Sequence, residues 1–367
     1  MGKAATSEKT RLDATMEAPM PVLPAWAAET GWDSDVVLST RARLARNLRG
    51  NAFPNRASNA ELKQVACQVI SAAMKREKGQ IGLRAVEISG LSASDKAVLI
   101  DSHLISVGLA RAGQHRWALV DDRQTVSVMV NEEDHLRLQV ILPGSQLDAA
   151  WRIADLMDDQ FGEHLAYAFD PSSGYLTSSL TNCGTGLRLS VMAHLPGLAV
   201  SHQLVGTLDA ARTLGSVVRG FYGEGIEAAG NVYQISNAVS TGKSERQLLT
   251  RLAATASLLV TDEQAARELL WRRERLKIEG LVEAAETRLK EAERLPTADS
   301  MDILSLLRLG AILGLPTGVT SRVFNELLSS LHLGVQFVSG EKAQFTFYEE
   351  TRRPALIRNK IREQKLK

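Results

Sequence analysis

The sequence predicts an α+β protein, with strands gathered in the first two thirds of the chain and helices in the last third. Three observations carry this. Apolar residues alternate at Val126, Val128 and Val130, and again at Leu136, Leu138, Val140 and Leu142, on either side of the polar run "NEEDH". Period two puts alternate side chains on one face of a strand. From "SERQLLTRLAATASLLV" onward the apolar spacing is helical almost to the end. No repeat of solenoid or propeller length interrupts this order, so strands and helices are segregated rather than alternating.

The elements follow in order. Residues 1–21 read as a disordered polar tail, 22–265 as a strand-rich domain and 266–367 as a helical domain. "DVVLSTRARLARN" is a short apolar strand that runs into arginines. "SNAELKQVACQVISAAMKRE" is a helix opened by a capping box, Ser58 with Glu61. "DAAWRIADLMDDQFGEHL" is a second helix. "SVVRGFYGEG" and "GNVYQIS" are strands with glycine-rich ends. Ser244 and Gln247 form another capping box, after which charged helical sequence leads to "DILSLLRLGAILGL" and "VTSRVFNELLSSL".

Composition narrows the function. The 367 residues carry 43 basic and 42 acidic side chains. A balance so close to neutral argues against nucleic acid or an anionic membrane as a partner. Two cysteines, Cys67 and Cys183, are too few for a disulfide framework or a thiolate zinc site. They fit a reducing, cytoplasmic setting. No stretch is apolar enough to span a bilayer, and the N-terminus lacks a signal-peptide core. Gly2 to Thr6 matches the loose myristoylation pattern, which is too short and common to outweigh a plain tail.

"STGKSE" is not a phosphate-binding P-loop. The motif needs a glycine five residues before Gly242, where this chain has Asn237. A turn before a capped helix accounts for it. The arginines are more informative. Arg41 and Arg43 are two apart and share a face if the segment is extended. Arg137 sits among apolar residues in a strand pattern, where its charge needs a partner. Arg188 follows "GTG", and Arg219 closes "SVVRG". Each alone reads as a surface arginine. Five in strand or glycine-rich contexts suit a polyphosphate, because guanidinium binds phosphate oxygens bidentately and keeps its charge. "NEEDH" supplies Glu132, Glu133 and Asp134, and "YGEG" supplies Glu224 between two glycines. Arginines to hold phosphates, with carboxylates to hold and deprotonate a cationic acceptor, form a kinase-like division of labour.

These residues also carry a family resemblance. "STRARLARN", "NEEDHLR", "TNCGTGLR", "VVRGFYGEG" and "GNVYQISN" resemble, in order, the signature blocks of the ATP:guanido phosphotransferases. The bacterial protein arginine kinases are the most similar branch, and "RRPALIR" resembles their C-terminus. The resemblance implies a catalytic domain on a curved, mainly antiparallel sheet flanked by helices, followed by a C-terminal helical domain. It implies MgATP as donor, with Mg²⁺ held mainly through the nucleotide and no protein metal site. It implies nucleotide contacts from Ser39, Thr40, Arg41, Ala42, Arg43, His103, Arg137 and Arg188. Leu189, Ser190, Val191, Met192, Arg219, Gly220, Phe221, Tyr222, Gly223 and Glu224 belong to the same implied set. Glu133 and Glu224 match the carboxylates that grip the acceptor guanidinium. Implied partners are proteins with exposed arginines, a Clp-type ATPase that degrades the marked proteins, an activator protein and a second copy of the chain.

Relatives that act on small guanidino metabolites carry a helical domain before the first arginine block, whereas Arg41 follows only 40 residues here. A protein acceptor is therefore expected over a free guanidino metabolite. A weakly active phosphoarginine-binding adaptor is the alternative from another class, disfavoured because all five arginines and both glutamates are present. Two departures stand out. The family's "CPTN" is "SLTN" here, so Ser179 occupies a position where a thiolate is thought to polarise the acceptor. A serine stays neutral and can only hydrogen-bond. Cys183, four residues on, is expected to be a packing residue. At the C-terminus, an R-D-x-x-R-A pattern that binds phosphoarginine as an allosteric signal corresponds to "EETRRP". Glu350 and Arg353 keep part of it, but Glu349 replaces the first arginine and would repel phosphate.

Overall fold

A computed structural model of the chain describes residues 23–75, 81–220, 229–331 and 342–366. Among the described residues ten strands form, eight of them in one sheet. They are β1 (Val37–Arg46), β2 (Arg84–Glu87), β3 (Trp117–Val120), β4 (Val126–Val130), β5 (Leu136–Pro143), β6 (Phe169–Asp170), β7 (Gly174–Tyr175), β8 (Leu187–His194), β9 (Ser216–Gly220) and β10 (Val232–Asn237). The large sheet has the order β2-β3-β4-β5-β1-β8-β10-β9, and every pairing in it is antiparallel. As the alternating pattern required, β4 and β5 flank "NEEDH".

Twelve helices are described. They are α1 (Ala25–Ala28), α2 (Asn59–Met74), α3 (Ala93–Asp101), α4 (Val107–Arg111), α5 (Leu147–Gly162), α6 (Pro196–Val200), α7 (Leu204–Thr213), α8 (Glu245–Arg273), α9 (Arg275–Glu291), α10 (Thr297–Ile312), α11 (Ser321–Ser330) and α12 (Lys342–Lys365). Both expected capping boxes form, at Ser58–Glu61 and Ser244–Gln247. Each satisfies two backbone donors that the first helical turn leaves open. No helix among the described residues is long and apolar enough to cross a membrane.

The two faces of the sheet differ. Ala42, Leu44, Leu138, Val140, Leu187, Leu189 and Val191 point to one face and build the main core with α2, α5 and α8. On the other face, Val86, Ala118, Val120 and Met129 are covered by α3 and α4 at the β2–β4 end. Ile141 and Met192, on that same face, belong to a cluster with Trp26 and Ala27 of the N-terminal helix and with the C-terminal helices. Between these two covers lies a polar stretch. Along α8 the core passes from the first cluster to the C-terminal one between Ala266 and Leu270. The helix itself runs unbroken through residue 265, where the sequence reading divides the chain.

Candidate active site

In antiparallel pairs, residues directly opposite one another share a face. Arg43 faces Arg188 on β8 and Gln139 on β5, while Arg41 faces Ser190 and Ile141. Arg137 lies opposite Ala45, and Arg219 lies opposite Gln234 at the sheet edge. Strand alternation thus puts all five arginines on the polar stretch. Arg46 belongs to the opposite face, where its guanidinium donates to Asp158 at 3.0 and 2.6 Å and lies 3.5 Å from the Tyr175 ring centre.

Two adjoining pockets open here. One is lined by Arg43, Arg137, Arg188, Glu133, Asp134 and Ser179. The other gathers Ser39, Arg41, His103, Ser190, Met192 and Gln234. The arginines are held by few protein groups. Arg41 Nε donates to Ser190 Oγ at 3.4 Å, and Arg188 Nη2 to Ser236 Oγ at 3.2 Å. Arg137 pairs with Glu132 at 2.6 Å. The Nε groups of Arg43 and Arg188 are buried with no hydrogen-bond partner among the described residues. Burial, and then repulsion from Arg137 and Arg188, pull the Arg41 pKa down to about 9. Arg43 is lowered well below its usual value by burial, then by Arg41, Arg137 and Arg188, against a smaller opposing pull from Glu132. Burial and then Arg41 lower His103 to about 3, so its imidazole is neutral. The site is a pre-formed anion hole with its positive charge poorly cancelled.

The carboxylates divide. Burial works against the charge of Glu132, but Arg137, the Ser106 hydroxyl and Arg43 outweigh it and its pKa falls. Glu132 is therefore a committed anion that pins Arg137. For Glu133, burial and then the neighbouring Asp134 raise the pKa, against the pull of Arg137. Glu133 is thus the better proton acceptor.

The "GTG" turn explains how β8 enters. Gly184 and Gly186 adopt φ of 98° and 69°. A Cβ on Gly186 would sit 2.4 Å from Arg46 Nη1 and 2.7 Å from the Ala45 carbonyl. Only glycine lets this turn pass so close to β1 and deliver Arg188 opposite Arg43. Ser179 lines the first pocket, and its hydroxyl lies 2.9 Å from that of Thr181. Cys183 is partly buried beside Thr177.

Some expected residues lie elsewhere. The side chains of Thr40, Ala42, Leu189 and Val191 alternate away from the pockets and lie in or beside the core. The Thr40 hydroxyl donates to the Gly144 carbonyl at 2.6 Å. Phe221, Tyr222, Gly223 and Glu224 lie outside the described residues, as does the 1–21 tail. Gly220 ends β9 opposite Tyr233. At the C-terminus, Arg353 is buried and donates to the carbonyls of Leu331 and Leu295 at 3.2 and 3.3 Å, and Glu350 pairs with Arg294 at 2.5 Å. Both are engaged inside the helical region. Gln139 and Gln234 were overlooked, although both are polar residues at arginine-face positions of their strands. Among the described residues, no three His, Cys, Asp or Glu side chains gather as a metal site.

Comparison with known proteins agrees with this geometry. The family model for the ATP:guanido phosphotransferase C-terminal catalytic domain matches residues 64–266. The chain is 40% identical to a protein-arginine kinase of Halothermothrix orenii over 303 residues, 83% of this chain and 86% of that protein. It is 40% identical to one of Brevibacillus brevis over 341 residues, covering 92% and 95% of the two chains. A protein-arginine kinase of Bacillus subtilis is 38% identical over 341 residues, covering 92% and 93%. Among solved structures, a lombricine kinase aligns at a TM-score of 0.56 and 26% identity, over 68% of this chain and 72% of that one. A duplicated taurocyamine kinase of Schistosoma mansoni shares the fold at a TM-score of 0.57 and 23% identity, over 72% of this chain and 38% of that one.

Proposed function

The chain belongs to the ATP:guanido phosphotransferase family, and we propose that it is a protein arginine kinase, moving the γ-phosphoryl group of ATP onto arginine side chains of proteins. One observation carries the reading: Arg43, Arg137 and Arg188 converge with Glu133 on one pocket. Anion-binding and cation-binding groups therefore meet where a phosphoryl group would pass to a guanidinium. The relatives at about 40% identity over most of their length, all protein-arginine kinases, support a protein acceptor.

The chemistry follows from the residues. Arg41 binds the phosphates nearer the nucleoside, with neutral His103 beside it, while Arg43, Arg137 and Arg188 surround the transferring group. A guanidinium is a poor nucleophile because it is protonated and delocalised. The Glu133 carboxylate fixes its plane and takes a proton as nitrogen attacks. The new N–P bond forms as the bond from the γ-phosphorus to the β,γ-bridging oxygen breaks, and ADP leaves. Glu224 is the proposed second grip on the acceptor. Holding both reactants in line can lower the barrier by roughly 7–11 kcal/mol. Mg²⁺ carried by the nucleotide would neutralise further phosphate charge.

The finer setting is part of the proposal and rests on the family resemblance: a cytoplasmic enzyme, a homodimer, with an activator and a Clp-type ATPase downstream. The test uses labelled ATP with either a protein mixture or free arginine, following acid-labile phosphate. Label on protein supports the reading. Label on free arginine alone moves the acceptor to a small metabolite, and no transfer at all overturns the enzyme assignment.

A further inference from the structure

Asn47 lies just beyond the end of β1, where the chain leaves the sheet, and its side chain is almost wholly buried. Its Nδ2 donates to Asp134 Oδ1 at 2.6 Å and to the Leu176 carbonyl at 3.1 Å. Its Oδ1 accepts the His135 backbone N–H at 2.9 Å. One amide thus reaches both the "NEEDH" turn and the segment that leads into Ser179. Asp134 Oδ1 also accepts the Ser178 N–H at 2.7 Å, and Ser178 Oγ donates to the Glu133 carbonyl at 2.7 Å. A closed circuit of hydrogen bonds runs from the end of β1, which carries Arg41 and Arg43, through Asn47 and Asp134 to Ser178, next to Ser179, and to Glu133. Asn47 itself does not line the pocket.

We propose that Asn47 is the positioning residue of the acceptor half of the site, locking the Glu133 turn to the Ser179 loop in register with the phosphate-binding arginines of β1. The inference rests on the reading that Glu133 grips the acceptor guanidinium. Only a side chain that donates and accepts together closes the circuit. A leucine of similar size does neither, and a carboxylate accepts from His135 but faces Asp134 as a like charge. Arg41 and Arg43 on β1 and Arg188 on β8 are placed by strand pairing rather than by this circuit, so the loss falls mainly on the acceptor and not on the nucleotide.

The test compares the full-length wild type, Asn47→Asp and Ser178→Ala, with ATP titrated as nucleotide and a fixed protein mixture as acceptor. For Asn47→Asp the expected loss in kcat/KM for the protein acceptor is about 100-fold, the scale of a misplacement near 1 Å. Nucleotide affinity should stay within about twofold of the wild type. Relative to the wild type, the variant should recover as pH is lowered, because the introduced carboxyl can then share a proton with Asp134 and donate again. Ser178→Ala removes one partly exposed link without burying a new charge, and should raise the acceptor KM alone. Equal losses of nucleotide binding and transfer in both variants would overturn the proposal, as would full acceptor kinetics in Ser178→Ala. A wild type that labels no protein sinks the underlying reading instead, whereas wild-type transfer that both variants retain sinks only the role of Asn47.

Discussion

Two groups of arginines in this molecule differ in what surrounds their charge. Arg46 and Arg267 sit at structural joints. Arg46 is gripped by Asp158, and Arg267 by Glu263 at 2.6 Å and Asp35 at 3.1 Å. Glu263 in turn accepts the backbone N–H groups of Gly197 and Leu198 at 2.8 and 2.9 Å. Nearby, Arg308 donates to His194 Nδ1 at 2.7 Å and to the Ser34 carbonyl at 2.6 Å, tying α10 to β8 and to the segment before β1. On the open face, Arg41, Arg43 and Arg188 find hydroxyls or nothing, and burial, then neighbouring arginines, pushes their pKa values down. Burial alone does not separate the groups, since it also takes Arg308 down to about 9. What separates them is whether the protein completes the charge. Where it does, arginine is mortar; where it leaves the charge open, the arginine is left to the proposed phosphate.

The comparison can be broken at either end. Arg43→Gln should cost the largest factor in turnover, about 1,000-fold or more, because an arginine aimed at a transferring phosphoryl group is worth 10³–10⁵. A rate within tenfold of the wild type removes Arg43 from the phosphate site. Arg267→Leu should leave Glu263 buried without its partner and destabilise the fold by about 3–5 kcal/mol, read by chemical denaturation. Little change would mean that the junction is not held by this network.

The pH dependence of stability sharpens the contrast. Burial holds His135 below the usual histidine range near 6.5, and burial, then the Arg308 and Arg267 charges, hold His194 well below it. Below that pH the unfolded chain binds protons that the folded chain refuses. Stability should therefore be full above pH 6.5 and fall as pH drops beneath it, with His103 adding to the same trend. Glu263 and Asp121, raised chiefly by burial, oppose this nearer the carboxylate range. A denaturation midpoint flat from pH 7 to about pH 5 would contradict the account. The smallest effect is expected from Ser179→Cys, which restores a thiol beside the acceptor and should speed transfer severalfold. An unchanged or lower rate would show that the hydroxyl is no handicap.

Much of this was legible in the sequence. Period two in "STRARLAR" already assigns Arg41 and Arg43 to one face, and the same alternation predicts β4 and β5. The block resemblance names whole runs such as "STRAR" and "LSVM", whereas strand geometry turns only alternate side chains toward the pockets. Thr40, Ala42, Leu189 and Val191 face away for that reason. The structural arginines could not be told from the functional ones by inspection. Arg46 and Asp158 are 112 residues apart, and Arg267 and Asp35 are 232 apart. Asn47 was invisible for the same reason, because its importance lies in partners more than 80 residues along the chain.

Chemical denaturation of the ligand-free wild type, Arg43→Gln and Arg267→Gln, side by side, tests the central contrast most directly. Removing a charge that its neighbours repel should stabilise the ligand-free protein by about 0.5–2 kcal/mol while abolishing transfer, as expected where activity is held at the expense of stability. Removing a charge that Glu263 and Asp35 complete should destabilise it by several times that amount. Opposite signs are the predicted result; destabilisation of both variants to a similar degree would contradict the account.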